Sequence, residues 1–175
     1  MAKQQMRIGV CGAARGLGTT QLCLLIGEYA TDIRGKKTII IDKSESRQLY
    51  QSGFLKKGLV ATAEEAALST EYECIVYDMG SRLDEYVELV NYLDVRIIVS
   101  SVLPWKAAKT GEFLEKIKVS GNQDEEKIVI LSGSRRLQKA YEKLYHVKLI
   151  RMPFIEDPFQ IDQKSYRFLQ LLTQL

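Results

Sequence analysis

The chain is poor in the residues that make a catalytic or metal site easy to recognise. Its one histidine, His146, leaves no pair to hold a metal, and it falls in a helix-to-strand turn where a solvated position is expected. The three cysteines, Cys11, Cys23 and Cys74, lie in apolar runs without paired spacing. That pattern predicts buried free thiols in a reducing compartment and excludes a disulfide framework. No apolar run reaches the ~18 residues of a membrane span, and the opening MAKQQMRIGV has too short an apolar stretch for a signal peptide. A soluble, cytoplasmic protein is expected. A large charge excess is also missing. With 25 Lys and Arg against 22 Asp and Glu, the net +3 is too small to argue for nucleic acid, and no nucleic-acid partner is expected. Without repeats, low-complexity tracts or linkers, residues 1–175 read as one domain.

What is present is a regular alternation. Runs rich in β-branched residues predict strands at Met6–Cys11, Lys37–Asp42, Glu73–Asp78, Val95–Ser100, Lys127–Leu131 and Val147–Met152. Helical periodicity predicts helices at Thr20–Ile33, Leu83–Leu93, Lys106–Lys118, Arg135–Tyr145 and Asp162–Leu175, with a short one beginning near Thr62 ahead of Glu64 and Glu65. Strands that are apolar throughout fit burial on both faces. The expected fold is therefore α/β: a three-layer αβα sandwich around a mostly parallel sheet. The polar stretch 120–126 (SGNQDEE) is expected to be the most mobile loop. Phe168, Leu169, Leu171, Leu172 and Leu175 give the last helix an apolar face, but only Lys164 and Arg167 supply positive charge. Packing on the sheet is expected over membrane anchoring. Trp105, directly after Pro104 at a helix start, is expected to pack in the core, with an exposed partner anchor as the alternative.

Between the first strand and first helix runs Gly12-Ala13-Ala14-Arg15-Gly16-Leu17-Gly18-Thr19-Thr20. A Gly-rich turn opening a helix is a natural anion cradle, because successive backbone N–H groups converge at the positive end of the helix. The loop resembles that of the short-chain dehydrogenases, in which Asp42 would hold the adenosine ribose. The rest of that pattern is absent: none of the nine tyrosines has lysine at the fourth following position, and Asn91 and Asn122 are the only asparagines. What remains is an NAD(P)-binding protein without the reductase chemistry.

A second resemblance, to the MinD/ParA group of P-loop ATPases, runs the length of the chain. Ala14-Arg15-Gly16-Leu17-Gly18-Thr19-Thr20-Gln21 aligns with that family's Lys-Gly-Gly-x-Gly-Lys-Thr-Thr loop. Asp42 matches the acid that closes the second strand. Residues 72–80 (YECIVYDMG) look like the third strand, ending in the Walker B-like acid Asp78 and the switch turn at Gly80. Residues 102–105 (VLPW), Met152-Pro153-Phe154 and Asp157-Pro158-Phe159 resemble segments that follow later strands, the last two bordering the base in relatives. The resemblance implies an ATP or ADP site with Mg²⁺ built from Gly12, Arg15, Gly16, Leu17, Gly18, Thr19, Thr20, Asp42, Asp78 and Gly80, with Thr20, Asp42 and Asp78 toward the metal.

The departures fall where phosphoryl-transfer charge develops. Thr19 replaces the Walker lysine, Ala14 the signature lysine, and Ser44 the acid that helps place the attacking water. Positioning and electrostatics supply most of such catalysis, so binding is better supported than hydrolysis and no catalytic residue is assigned. The resemblance thus implies a non-hydrolysing or very slow relative used as a localisation, scaffold or regulatory subunit. An empty loop, with no cofactor, is an equal alternative, and a working ATPase using Arg15 in place of the lysine is another. Within the family, the loop and the DPF segment look most like the pilus-assembly localisation branch (TadZ/CpaE-like). The expected partners are a second copy, through a face including Arg15, Ser44 and residues 79–83, and components of a membrane-associated assembly, with membrane contact indirect at most.

Overall fold

The computed structural model describes residues 5–53, 55–56, 59–62, 71–119 and 126–175. β1 (Met6–Gly12) runs into α1 (Thr19–Glu28), which continues through one wider π-helical turn at Tyr29–Ile33 and stops at Gly35. There follow β2 (Thr38–Asp42), a single helical turn α2 (Gln48–Gln51), and two short strands, β3 (Leu55–Lys56) and β4 (Leu59–Thr62). The rest alternates: β5 (Cys74–Asp78), α3 (Leu83–Leu89, extended by a 3₁₀ turn to Tyr92), β6 (Val95–Ser100), α4 (Pro104–Val119), β7 (Glu126–Ile130), α5 (Arg135–Tyr145), β8 (Leu149–Arg151) and α6 (Gln163–Thr173).

The strands form one sheet in the order β3-β4-β2-β5-β1-β6-β7-β8. Every neighbouring pair is parallel except β3 with β4, so a two-residue antiparallel strand closes one edge and the three-residue β8 closes the other. The strand period of two sorts the side chains onto two faces. Ile8, Val10, Ile40, Val76, Ile97, Val99 and Val129 point toward α1 and α6, while Cys11, Ile39, Ile41, Ile75, Ile98, Ile128 and Ile130 point toward α3, α4 and α5. Two hydrophobic layers result, and this burial on both sides is why the strands lack an alternating polar pattern.

The three-layer α/β architecture agrees with the expectation, with shifts of one to a few residues at element ends. Leu55–Lys56 and Leu59–Thr62 were not expected to be strands. Thr62 ends β4, and the helix expected to follow it lies outside the described residues, as do positions 120–125 of the expected mobile loop. The last helix packs as expected: Phe168, Leu169 and Leu172 are buried on the α1 side of the sheet, although Leu171 points outward. Asp162 caps it by accepting from Ser165 N at 2.7 Å, and Ser134 caps α5 by accepting from Leu137 N at 3.2 Å. Trp105 is the correction. It is 75% exposed, as the second residue of α4, and so does not join either hydrophobic layer. All three cysteines are free and buried, and His146 is an exposed left-handed helix cap with φ 55°.

Candidate functional site

The strand order sets where a site can lie. β1 is flanked by β5 and β6, and the connection from β5 to β6 crosses over β1, so the chain changes direction there. The crevice at the carboxyl ends of β1 and its neighbours is the place where open α/β sheets bind ligands.

β1 delivers the Gly-rich loop to that crevice. Gly12 N donates to Gly80 O at 2.7 Å and Ala13 N to Val99 O at 2.8 Å, fixing the loop's root to the ends of β5 and β6. Apart from the tight turn at Arg15-Gly16, the backbone N–H groups of residues 14–21 show no acceptor among the described residues, and the first helical bond of α1 is Leu22 N to Gly18 O at 2.9 Å. Gly16 (φ 69°) and Gly18 (φ 76°) are both left-handed, which turns neighbouring N–H groups toward one side. The loop therefore presents unpaired donors at the positive end of a ten-residue helix. Leu17 anchors this cradle from below, with its side chain buried in the α1 layer. Thr19 is also buried, its hydroxyl 2.6 Å from where a Cβ on Gly12 would lie. A side chain at position 12 would thus push into the loop.

The two strand-end acids sit side by side. Asp42 and Asp78 are in register on β2 and β5, and the period of two points both toward α1. Asp78 is fully buried: its Oδ2 accepts from Thr20 Oγ1 at 2.6 Å and its Oδ1 from Gly80 N at 3.0 Å. Desolvation raises its carboxyl above the usual range, the bonds from Thr20 and Gly80 pull against that, and the charges of Asp42 and Glu45 add to the rise. Asp42 is spent differently. Its Oδ1 accepts from Ser44 N at 3.1 Å and Ser44 Oγ at 2.6 Å, and its Oδ2 from Tyr50 N at 3.2 Å, so this carboxylate holds the turn after β2.

A cleft of about 460 Å³ opens between the loop and these turns, lined by Arg15, Gly16, Gly18, Thr19, Thr20, Ser44, Glu45, Gly80 and Ser81 among others. The sequence did not single out Glu45 or Ser81. Glu45 reaches across the cleft mouth and accepts from Ser81 N at 3.2 Å and from Ser81 Oγ. Partial burial raises its carboxyl, but the Ser81 hydroxyl, backbone N–H groups and the Arg15 guanidinium outweigh that and hold it below the usual value. Gly80 (φ 55°) makes the approach possible, since a Cβ there would lie 2.3 Å from Glu45 Oε2. Lys106 is a second addition: from the first turn of α4 its Nζ reaches Gly16 O at 3.5 Å. An acid adjacent to the Ser44 column was the available signal for Glu45. A contact spanning ninety positions gave none for Lys106.

The donors suit a metal only in company. Among the described residues no group of three His, Cys, Asp or Glu side chains is arranged to hold an ion. Thr20 donates its proton to Asp78 and keeps its oxygen lone pairs, an arrangement compatible with Mg²⁺ whose remaining ligands are phosphate oxygens and water. Asp42 accepts three bonds from the turn after β2, so a metal contact there would compete with that turn. The same engagement, with Asp42 only 1% exposed, removes the carboxylate a dinucleotide's ribose would need. The strand order argues against that alternative independently. Dinucleotide-binding sheets keep the first and second strands adjacent, whereas here β5 stands between β1 and β2.

No protein-family model matches the chain, and no curated protein matches it in sequence. Solved structures do match in shape. A putative plasmid partition protein from Borrelia burgdorferi, bound to AMPPNP, superposes with a TM-score of 0.69 at 12% identity, covering 97% of this chain and 98% of that one. A ParA family ATPase from Chlorobium tepidum gives 0.67 at 15%, covering 97% and 90%. MinD in the MinC:MinD cell division complex from Aquifex aeolicus gives 0.59 at 17%, covering 93% and 86%. At such identities the likeness is one of fold. Strand order, the loop after β1 and these superpositions agree: the chain has the three-layer α/β fold of the ParA and MinD ATPases.

Proposed function

We propose that this chain binds an adenine nucleotide with Mg²⁺ in the cleft above α1, hydrolyses it very slowly or not at all, and serves as a localisation, scaffold or regulatory subunit. The observation that carries the reading is the loop itself. Residues 14–21 offer backbone donors, shaped by Gly16 and Gly18 and adjoining the Thr20–Asp78 pair, with no lysine in the loop itself and Lys106, from α4, engaged with Gly16 O. Backbone donors and a helix N-terminus are enough to bind phosphate. They are not enough to neutralise the charge of phosphoryl transfer, for which the family fold elsewhere supplies lysine. Adenine is favoured over other bases because the Borrelia structure of the same fold holds AMPPNP. A dimer that buries the cleft mouth would use Arg15, Ser44 and Ser81, with Trp105 exposed on the neighbouring turn.

Thermal-shift titration tests the reading. Saturable stabilisation by ATP–Mg²⁺ or ADP–Mg²⁺, without phosphate release above background, is expected, because a ligand that binds only the folded state raises its stability by about 2.7 kcal/mol at a hundred times its Kd. Stabilisation by NADPH alone would overturn it. Restoring the lysine with Thr19→Lys is expected to tighten nucleotide binding, and unchanged affinity would mean that position 19 does not face the phosphates.

A further inference from the structure

Glu45 is an anion built into an anion cleft. Its carboxylate takes the backbone N–H and the hydroxyl of Ser81 in the turn after β5, and the Arg15 guanidinium of the loop lines the same cleft and attracts it. The turn that carries it is itself fixed: Lys43 N donates to Asp78 O at 2.8 Å, Arg82 reaches Lys43 O at 3.3 Å, and Ser44 is bound to Asp42. The close approach of Gly80 leaves room for the carboxylate and for no side chain in its place. The inner part of the cleft, from Gly16 to Thr20, keeps its donors unpaired, while the outer part is already satisfied by negative charge.

From this division we infer that Glu45 limits the length of the phosphate chain the cleft accepts, so that the ligand is a nucleoside diphosphate and a third phosphate is disfavoured. The inference rests on the nucleotide reading above. On this reading two phosphates occupy the loop donors, none of which Glu45 contacts. A third, extending toward Ser81, would meet the like charge of Glu45 and would have to displace it from Ser81 and from its attraction to Arg15. The residue acts on specificity through charge and occupancy, so its effect belongs to the ratio of two affinities and not to either one alone.

Isothermal titration of the full chain with ADP–Mg²⁺ and ATP–Mg²⁺ tests this. Wild type is expected to bind ADP tighter than ATP by about tenfold, a difference of about 1.4 kcal/mol. Glu45→Gln keeps the shape and an acceptor but removes the charge, and Glu45→Ala removes the contact with Ser81. Both are expected to bring ATP to within about threefold of ADP, read as the ratio of the two Kd values whatever the change common to both nucleotides. Because Glu45 is exposed, neither variant threatens the fold. The same ADP/ATP ratio in wild type and both variants, or a wild-type preference for ATP, overturns the inference and leaves the nucleotide reading standing. If neither nucleotide binds wild type or variants, the nucleotide reading fails and takes the inference with it.

Discussion

Thr20 and Asp78 show how much can depend on one hydroxyl. Among the described residues Asp78 is buried with no ion pair, and the proton from Thr20 Oγ1 is one of only two donors its carboxylate receives there. Thr20→Val is expected to destabilise the fold by about 1–3 kcal/mol at neutral pH, measured by urea denaturation, because a buried acceptor loses its partner. The pH dependence follows from the raised folded-state pKa. The folded protein holds this proton to higher pH than the unfolded chain, so Asp78 favours the folded state least above that raised value, and stability falls as pH climbs toward it from the ordinary carboxylate range. The Thr20→Val deficit is therefore expected to grow as pH rises above the ordinary carboxylate range. A deficit independent of pH would show that the carboxylate is not the group affected. Trp105 makes the opposite case: at 75% exposure, Trp105→Ala is expected to change stability by no more than about 0.5 kcal/mol, whereas a packed tryptophan would cost several times that.

At the scale of the elements, α6 separates its two faces sharply. Leu169 is fully buried against the sheet and Leu171, two residues on, is 61% exposed. Leu169→Ala is expected to cost about 2–5 kcal/mol in urea unfolding and Leu171→Ala close to nothing. Equal effects would mean that the helix does not pack as described. Elements such as α6 and α5 were legible in the sequence because their apolar spacing and their Asp162 and Ser134 caps agree. β3 and β4 were not, since they are short, and β4 owes its extended form to pairing with β2. The candidate site was legible by parts. The loop, Thr20 and Asp78 come together as spacing suggested, because strand register and the first turn of α1 dictate it. Asp42 lies in the right register, but its oxygens are taken by Ser44 and Tyr50, a use only the folded turn reveals. Glu45 escaped notice because its contact is made by a turn closing over another turn, which no periodicity encodes.

For the whole molecule, the two hydrophobic layers share one sheet, and the cysteines report on both. Cys23 and Cys74 lie in the α1 layer and Cys11 in the opposite one, all without solvent exposure. Burial pushes the Cys74 thiol up to about 12 and raises the other two as well, so none is a thiolate at neutral pH. Native protein is expected to resist thiol labelling, and all three cysteines to react with one rate constant as the sheet opens. Early labelling of Cys11 alone would reveal that the α3–α5 layer opens first.

The edges of that sheet have a consequence for behaviour at high concentration. An uncovered strand edge recruits strands from other chains when it is long, flat and apolar. Here, among the described residues, one edge strand is two residues long and antiparallel, and the other is three residues long and ends in the exposed Arg151. Neither offers enough backbone to template a growing ladder. High protein concentration is therefore expected to leave the sheet unextended at both described edges.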